Sequence, residues 1–230
     1  MNLKDEAFYY LVRLFKKKTL QSKREKEWYS QCQRYKCIFI HIPKTAGVSV
    51  SASLLGKGIA NMPALYYKVL FGKKDFNNYF KFSFVRNPFT RLISVYEFLQ
   101  SGGGGPLDEK IVSIIQPYKC FKDFVMQYLN QKTIKTHRYF RPQYYFICDS
   151  NNKLMINFWG RFEELEKDYE FIRTKIGTGE PLKKLNVTKS KKLSPEEYYS
   201  NSKIIQKVIS LYNKDFELFG YSKEISALLP

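Results

Sequence analysis

Short apolar runs and glycine-rich breaks alternate along the chain. Cys37-Ile38-Phe39-Ile40-His41-Ile42 is brief and almost wholly apolar, which predicts a buried strand. It runs into Pro43-Lys44-Thr45-Ala46-Gly47 and then into a helix-compatible stretch, residues 48–55, so strand, tight loop and helix follow as in the first half of a βαβ unit. A second unit of this kind begins near residue 80. Phe80, Phe82 and Phe84 alternate with Lys81, Ser83 and Val85 at the period of a strand. Asn87 then suits a helix N-cap and Pro88 a first helical position, and the helix reaches about residue 100. Ser101-Gly102-Gly103-Gly104-Gly105-Pro106 stops it as a flexible turn and a candidate lid hinge.

Further on, helical segments are expected near 108–115 and 121–130, strands at 144–147 and 154–158, and a helix over 163–175. Residues 177–193 form a lysine-rich loop. Ser194 and Glu197 have the spacing of a capping box, and Ile204, Val208, Leu211 and Phe216 stripe the helical C-terminal region. Strands alternating with helices argue for an α/β fold.

Length and charge narrow the picture. A chain of 230 residues suits one large domain. Residues 1–36 read as an N-terminal helical extension and 37–230 as the main domain. In the extension Ala7, Leu11, Leu14 and Phe15 recur at helical spacing, and Lys16, Lys17 and Lys18 follow, an amphipathic helix ending in cations. It is read as docked on the domain or lying on a membrane surface. No apolar run reaches the roughly 18 residues that span a bilayer, and the N-terminus lacks the order of a signal peptide. A bacterial cytoplasmic protein, peripheral at most to the inner membrane, is expected. The formal net charge of +18 points to polyanionic partners: nucleic acid, acidic glycan, phosphorylated cofactor or anionic membrane. Four cysteines without a C-x-x-C pair and two histidines argue against a zinc site, and the thiols are expected to be free.

Two constellations carry the chemistry. Residues 43–49 sit where a strand hands over to a helix, whose first backbone N–H groups are unpaired and form an anion site. Gly47 allows close approach, Lys44 adds a charge, and Thr45 and Ser49 add hydroxyls. The pattern is not a Walker A loop, because the lysine precedes the only glycine. Nor does the second strand end in an acid that would hold magnesium; it ends in Val85-Arg86. The second constellation is Arg86 with Asn87, Arg91 and Ser94, the last three on one helix face. Arg86 and Ser94 are placed to grip a phosphate. Taken singly, Lys44 reads equally as a solvated loop lysine and Arg86 as a surface arginine beside a helix cap.

Together the segments resemble the PAPS-dependent sulfotransferases, PAPS being 3′-phosphoadenosine-5′-phosphosulfate. Residues 38–49 are similar to the family's 5′-phosphosulfate loop and residues 84–96 to its 3′-phosphate motif, closest to the carbohydrate branch that includes bacterial members and the heparan and chondroitin O-sulfotransferases. His137 with Phe140-Arg141-Pro142-Gln143, then Gly160-Arg161-Phe162-Glu163, Asn186 and residues 211–221 extend the likeness more weakly. Val48 departs from it, standing where Thr or another small polar residue is usual.

The resemblance implies a central parallel sheet of P-loop-like type flanked by helices. It also implies metal-free sulfuryl transfer from PAPS, with product 3′-phosphoadenosine-5′-phosphate (PAP). On this reading Pro43, Lys44, Thr45, Ala46, Gly47, Val48 and Ser49 hold the 5′-phosphosulfate, Lys44 stabilises the leaving group, and Arg86 and Ser94 bind the 3′-phosphate. His137 is the candidate general base, because imidazole titrates near neutrality, with Glu163 as the runner-up. Arg141, Gln143 and Arg161 are candidates for the acceptor, a glycan hydroxyl. The basic loop Lys183, Lys184, Lys189, Lys191 and Lys192 reads as a solvated face or as a contact for an acidic glycan. A basic nucleic-acid-binding protein remains the alternative from another class, although no nucleic-acid motif occurs and no specific nucleic-acid partner is expected.

Overall fold

The computed structural model describes residues 23–56, 61–183, 185 and 193–228. The helix expected within residues 1–19 and most of the basic loop, with Lys184, Asn186, Lys189, Lys191 and Lys192, lie outside the described residues. In chain order the main elements are α1 (Lys23–Tyr35), β1 (Cys37–Ile40), α2 (Gly47–Leu54), α3 (Ala64–Asn78), β2 (Phe80–Val85), α4 (Pro88–Gln100), α5 (Glu109–Ile115), β3 (Phe158–Arg161), α6 (Leu165–Ile176) and α7 (Ser202–Phe219). The fold is α/β, a parallel three-stranded sheet with helices about it. The chain divides into two compact units, Met1–Val85 with Gln143–Val187, and Arg86–Pro142 with Thr188–Pro230.

The first unit holds the sheet, in the order β1-β2-β3, with Phe39 opposite Phe82 and Val85 opposite Arg161. Every residue of β1 is buried, as a parallel strand covered on both faces requires. Phe39 stacks on Phe82 with centroids 5.1 Å apart, and the Ser83 hydroxyl donates to Ile40 O at 2.7 Å. Lys81 is buried too, and its ammonium donates to the carbonyls of Phe76 at 2.8 Å and Tyr79 at 2.7 Å, so it caps the end of α3. Burial pushes its pKa down. Helix α1 arises from a charged segment because Trp28 and Cys32, one turn apart, are buried; Trp28 packs on Tyr67 and Phe71.

Two strand expectations are corrected here. Residues Tyr144–Ile147 form a helical turn closed by Cys148 N donating to Tyr144 O at 2.9 Å, and the adjacent Phe146 and Ile147 are both buried. A four-residue apolar run has no period that separates turn from strand. Over residues 154–158, Leu154 makes a single antiparallel bridge to Cys148, and the strand begins only at Phe158. Its centre is Gly160, a residue that lowers strand propensity and so hides β3 in the sequence. The glycine is there for space. A Cβ at 160 would lie 2.5 Å from the Phe84 ring and 2.8 Å from Asp168 Cβ. Gly160→Ala is therefore expected to destabilise the protein by about 1–3 kcal/mol, read as a lower urea midpoint with an unchanged slope.

The second unit has an aromatic core. Phe89 lies between Tyr199 at 4.8 Å and Phe216 at 4.9 Å, and Tyr96 packs on Phe121 and Phe124. The segment expected as a helix over 121–130 is one short turn, Phe121–Asp123, passing into a π-helical turn, Phe124–Tyr128. The capping box at Ser194 and Glu197 forms as expected. The glycine turn after α4 is fastened by several hydrogen bonds, among them Gly103 N donating to Phe98 O at 2.9 Å and Gly104 N to Asp108 Oδ2 at 3.0 Å. The four cysteines are free thiols. No described helix is long and apolar enough to cross a membrane.

Candidate functional site

The first candidate region is the loop between β1 and α2. Lys44 (φ 69°) and Ala46 (φ 62°) both take the left-handed conformation, which is uncommon outside glycine and concentrates at ligand clamps. Such turns bring successive N–H groups into an anion-binding concavity, and the first amides of α2 continue it. Thr45 is fully buried and its hydroxyl donates to Ile42 O at 2.9 Å. The Ser49 hydroxyl donates to Leu185 O and accepts from Leu185 N, both at 3.1 Å. Both hydroxyls thus shape the loop, and the loop's offer to an anion is main-chain amides with the half-buried Lys44. Gly47 is forced by its neighbour, because a Cβ there would sit 1.8 Å from the His41 ring. His41 therefore packs beneath the loop, stacked at 5.8 Å on Phe39. Pro43 is buried, whereas Val48 is 43% exposed on α2.

The second region is the start of α4. The Asn87 side chain accepts from Phe89 N at 2.9 Å, and Pro88 opens the helix, as the sequence led one to expect. Arg86 is half-buried, with Nε donating to Thr90 Oγ1 at 3.1 Å. Ser94 is half-buried two turns along the helix. Arg91 does not join them as a surface cation. It is 3% exposed, and one Nη2 donates to Tyr139 O and Arg141 O, each at 3.1 Å.

The third region is the segment that carries His137. The imidazole is half-buried, 5.1 Å from the Tyr139 ring and 6.0 Å from that of Phe140, and Tyr139 N donates to Nδ1 at 3.4 Å. Burial lowers its pKa below the ordinary value, Arg138 and Arg141 lower it further, and Asp108 opposes them. Asp108 is itself buried; it accepts from Arg138 Nη2 at 2.6 Å and from the Tyr139 hydroxyl at 2.8 Å.

The remaining candidates lie apart in character. Glu163 is exposed in a 3-10 turn before α6. Arg161 ends β3 half-buried, its N donating to Asp168 Oδ2 at 2.7 Å. Arg141 is half-buried and its Nε donates to Lys135 O at 3.1 Å, whereas Gln143 is wholly buried. Sequence reasoning did not single out Asp108, Arg138 or Tyr139. An acid just after a glycine-rich turn was the available signal.

Sulfotransferase family members share a sequence model that matches residues 63–222, and the chain belongs to that family. The match begins after the β1–α2 loop and spans α4, His137 and β3. Among curated proteins the chain is similar to carbohydrate sulfotransferase 10 of Xenopus laevis, 28% identical over 64% of this chain and 48% of the relative. The same protein of Danio rerio is 29% identical over the same shares. An uncharacterized protein of Archaeoglobus fulgidus is 28% identical over 53% of this chain and 87% of its own length. The chain thus spans about half the length of the carbohydrate sulfotransferases it matches. No solved structure matches it.

Proposed function

We propose that this protein transfers a sulfuryl group from PAPS to a carbohydrate hydroxyl by in-line displacement. The observation that carries the reading is the β1–α2 loop, with left-handed Lys44 and Ala46 and with Gly47 pressed on His41, in a member of the sulfotransferase family. A loop of main-chain amides with one lysine fits an anionic phosphosulfate. The names of the relatives favour a carbohydrate acceptor.

When bound, PAPS supplies an activated sulfuryl group attached to a phosphate leaving group. Residues 43–49 hold the 5′-phosphosulfate through backbone amides, and Lys44 neutralises charge at the oxygen that leaves. Arg86 and Ser94 bind the 3′-phosphate, where the guanidinium offers a planar set of donors. His137 would take the proton that the acceptor hydroxyl gives up on transfer, the PAP phosphate being the leaving group. Arg141 and Arg161 are the candidates to contact hydroxyls or carboxylates of the glycan.

Calorimetric titration with PAP, without magnesium and with ATP as control, tests the cofactor assignment. Wild type is expected to bind PAP. Arg86→Ala is expected to bind about 10–100-fold more weakly, the loss of charge-assisted hydrogen bonds to a phosphate. Absence of PAP binding by wild type, with salt-dependent binding to any DNA or RNA, would replace this reading with a basic nucleic-acid-binding one.

A further inference from the structure

The segment after His137 is held from below by a buried polar set on α4 and α7. Arg91 binds the carbonyls of Tyr139 and Arg141, and the Tyr212 hydroxyl donates at 2.8 Å to the carbonyl between them, that of Phe140. Three consecutive carbonyls are thus fixed by two side chains that are almost fully buried. From the other direction, Phe140 N and Arg141 N both donate to His137 O, closing the turn on which the imidazole stands. Asp215, one turn beyond Tyr212 and wholly buried, acts electrostatically on both Arg91 and Tyr212. Helix α7 departs from helical geometry at Tyr212 (φ −117°, ψ 18°), where the hydroxyl reaches Phe140.

A buried arginine in an aromatic core is expensive. Desolvation lowers the Arg91 pKa, with Tyr212 and Asp215 opposing. Apolar residues of similar volume would fill the same space at less cost, but they would take these donors from the three carbonyls. These three bonds go to backbone carbonyls, so what they fix is the path of the chain at 139–141.

We infer that Arg91, Tyr212 and Asp215 are positioning residues that hold the His137 turn on the helix that carries Arg86 and Ser94. Their importance for catalysis rests on the sulfotransferase reading; their hold on His137 does not. The set joins two segments far apart in sequence, 137–141 and 212–215, through one residue of α4.

The experiment follows the two imidazoles by NMR across pH, with His137 assigned by His137→Gln. The variants are Tyr212→Phe, which removes one hydroxyl, and Arg91→Lys, which keeps the charge beside Asp215 but loses the planar fork. Val208→Ala, a buried cavity variant elsewhere on α7, controls for general loss of stability. Charged and polar groups around the imidazole, Arg138, Arg141, Asp108 and Tyr139, are the same in all. In Tyr212→Phe the turn should open to water. The His137 midpoint should then rise by about half a pH unit or more toward its ordinary value, and the amides of 139–141 should exchange faster. His41 and PAP affinity should stay within about twofold of wild type. Arg91→Lys should do the same more strongly if it folds. A His137 midpoint and 139–141 exchange unchanged in Tyr212→Phe, or equally changed in Val208→Ala, would overturn the inference. Failure of wild type to bind PAP would remove the catalytic reading and leave this result to be judged by itself.

Discussion

Lys44→Ala is expected to lower turnover of PAPS by about two to three orders of magnitude, the usual loss when one group that stabilises developing charge is removed. PAP affinity should fall by no more than about tenfold. The split follows from the construction of the loop. Lys44 already has φ 69° as a non-glycine residue, so alanine there brings no new backbone strain. Thr45 remains tied to Ile42 O, and Gly47 remains against His41. The substitution therefore removes the ammonium and leaves the amide cradle in place. Lys44→Arg keeps the charge but spreads it over a planar fork, and should restore activity only in part. Release of PAP from PAPS with a glycan acceptor panel measures the rate, and calorimetry measures affinity. Turnover within tenfold of wild type in Lys44→Ala would remove the lysine from the leaving-group role.

The strand–loop–helix units around residues 43–49 and 86–94 were legible because each rests on a local pattern: a short apolar run or an alternation of phenylalanines, then a turn, then a cap. Asn87 and Pro88 act locally, and their cap forms as read. What was hidden depends on tertiary packing. Helix α1 opens on a run of charges, and it is Trp28, Cys32 and Tyr29, the last stacked on Phe71, that tie it to the core. Helix α3 is interrupted at Gly72 (φ 79°), which blurs any helical period through it. Strand β3 is centred on a glycine whose reason is the Phe84 ring and Asp168.

The site shows the same division. The placement of Lys44, Arg86 and Ser94 beside a strand end and along a helix was legible, while their roles stand as proposals. The left-handed conformations at Lys44 and Ala46, on which the proposed anion site rests, have no signature in the sequence. Thr45 and Ser49 read as ligand hydroxyls but bind backbone carbonyls, an outcome that loop residues cannot reveal without their neighbours. Arg91 falls on the same helical face as Asn87 and Ser94 by spacing, yet it is buried while Ser94 is only half so, because the 139–141 segment covers it. Helical spacing gives a face; which part of that face another segment covers is decided by long-range packing.

His137→Ala is expected to reduce turnover by about 10²–10⁴-fold, the typical contribution of a positioned general base, with PAP binding retained. The pH profile gives the sharper test. A base must be neutral, so turnover rises with pH through the His137 pKa. Burial places that pKa below the ordinary imidazole value of about 6.5, and Arg138 lowers it further. The acid limb should therefore lie below about pH 6.5. Arg138→Gln removes a cation that lowers the pKa and also takes from Asp108 the partner it holds at 2.6 Å, so the carboxylate's pull on the imidazole grows. Both changes act in one direction, and the limb should move to higher pH. The only other histidine in the chain is His41, packed under the β1–α2 loop, and His137→Ala separates the two imidazoles. A limb that moves up in Arg138→Gln and disappears in His137→Ala assigns the base. A limb that stays fixed in Arg138→Gln, or full turnover in His137→Ala, would transfer the role to another group, with Glu163 the next to be replaced.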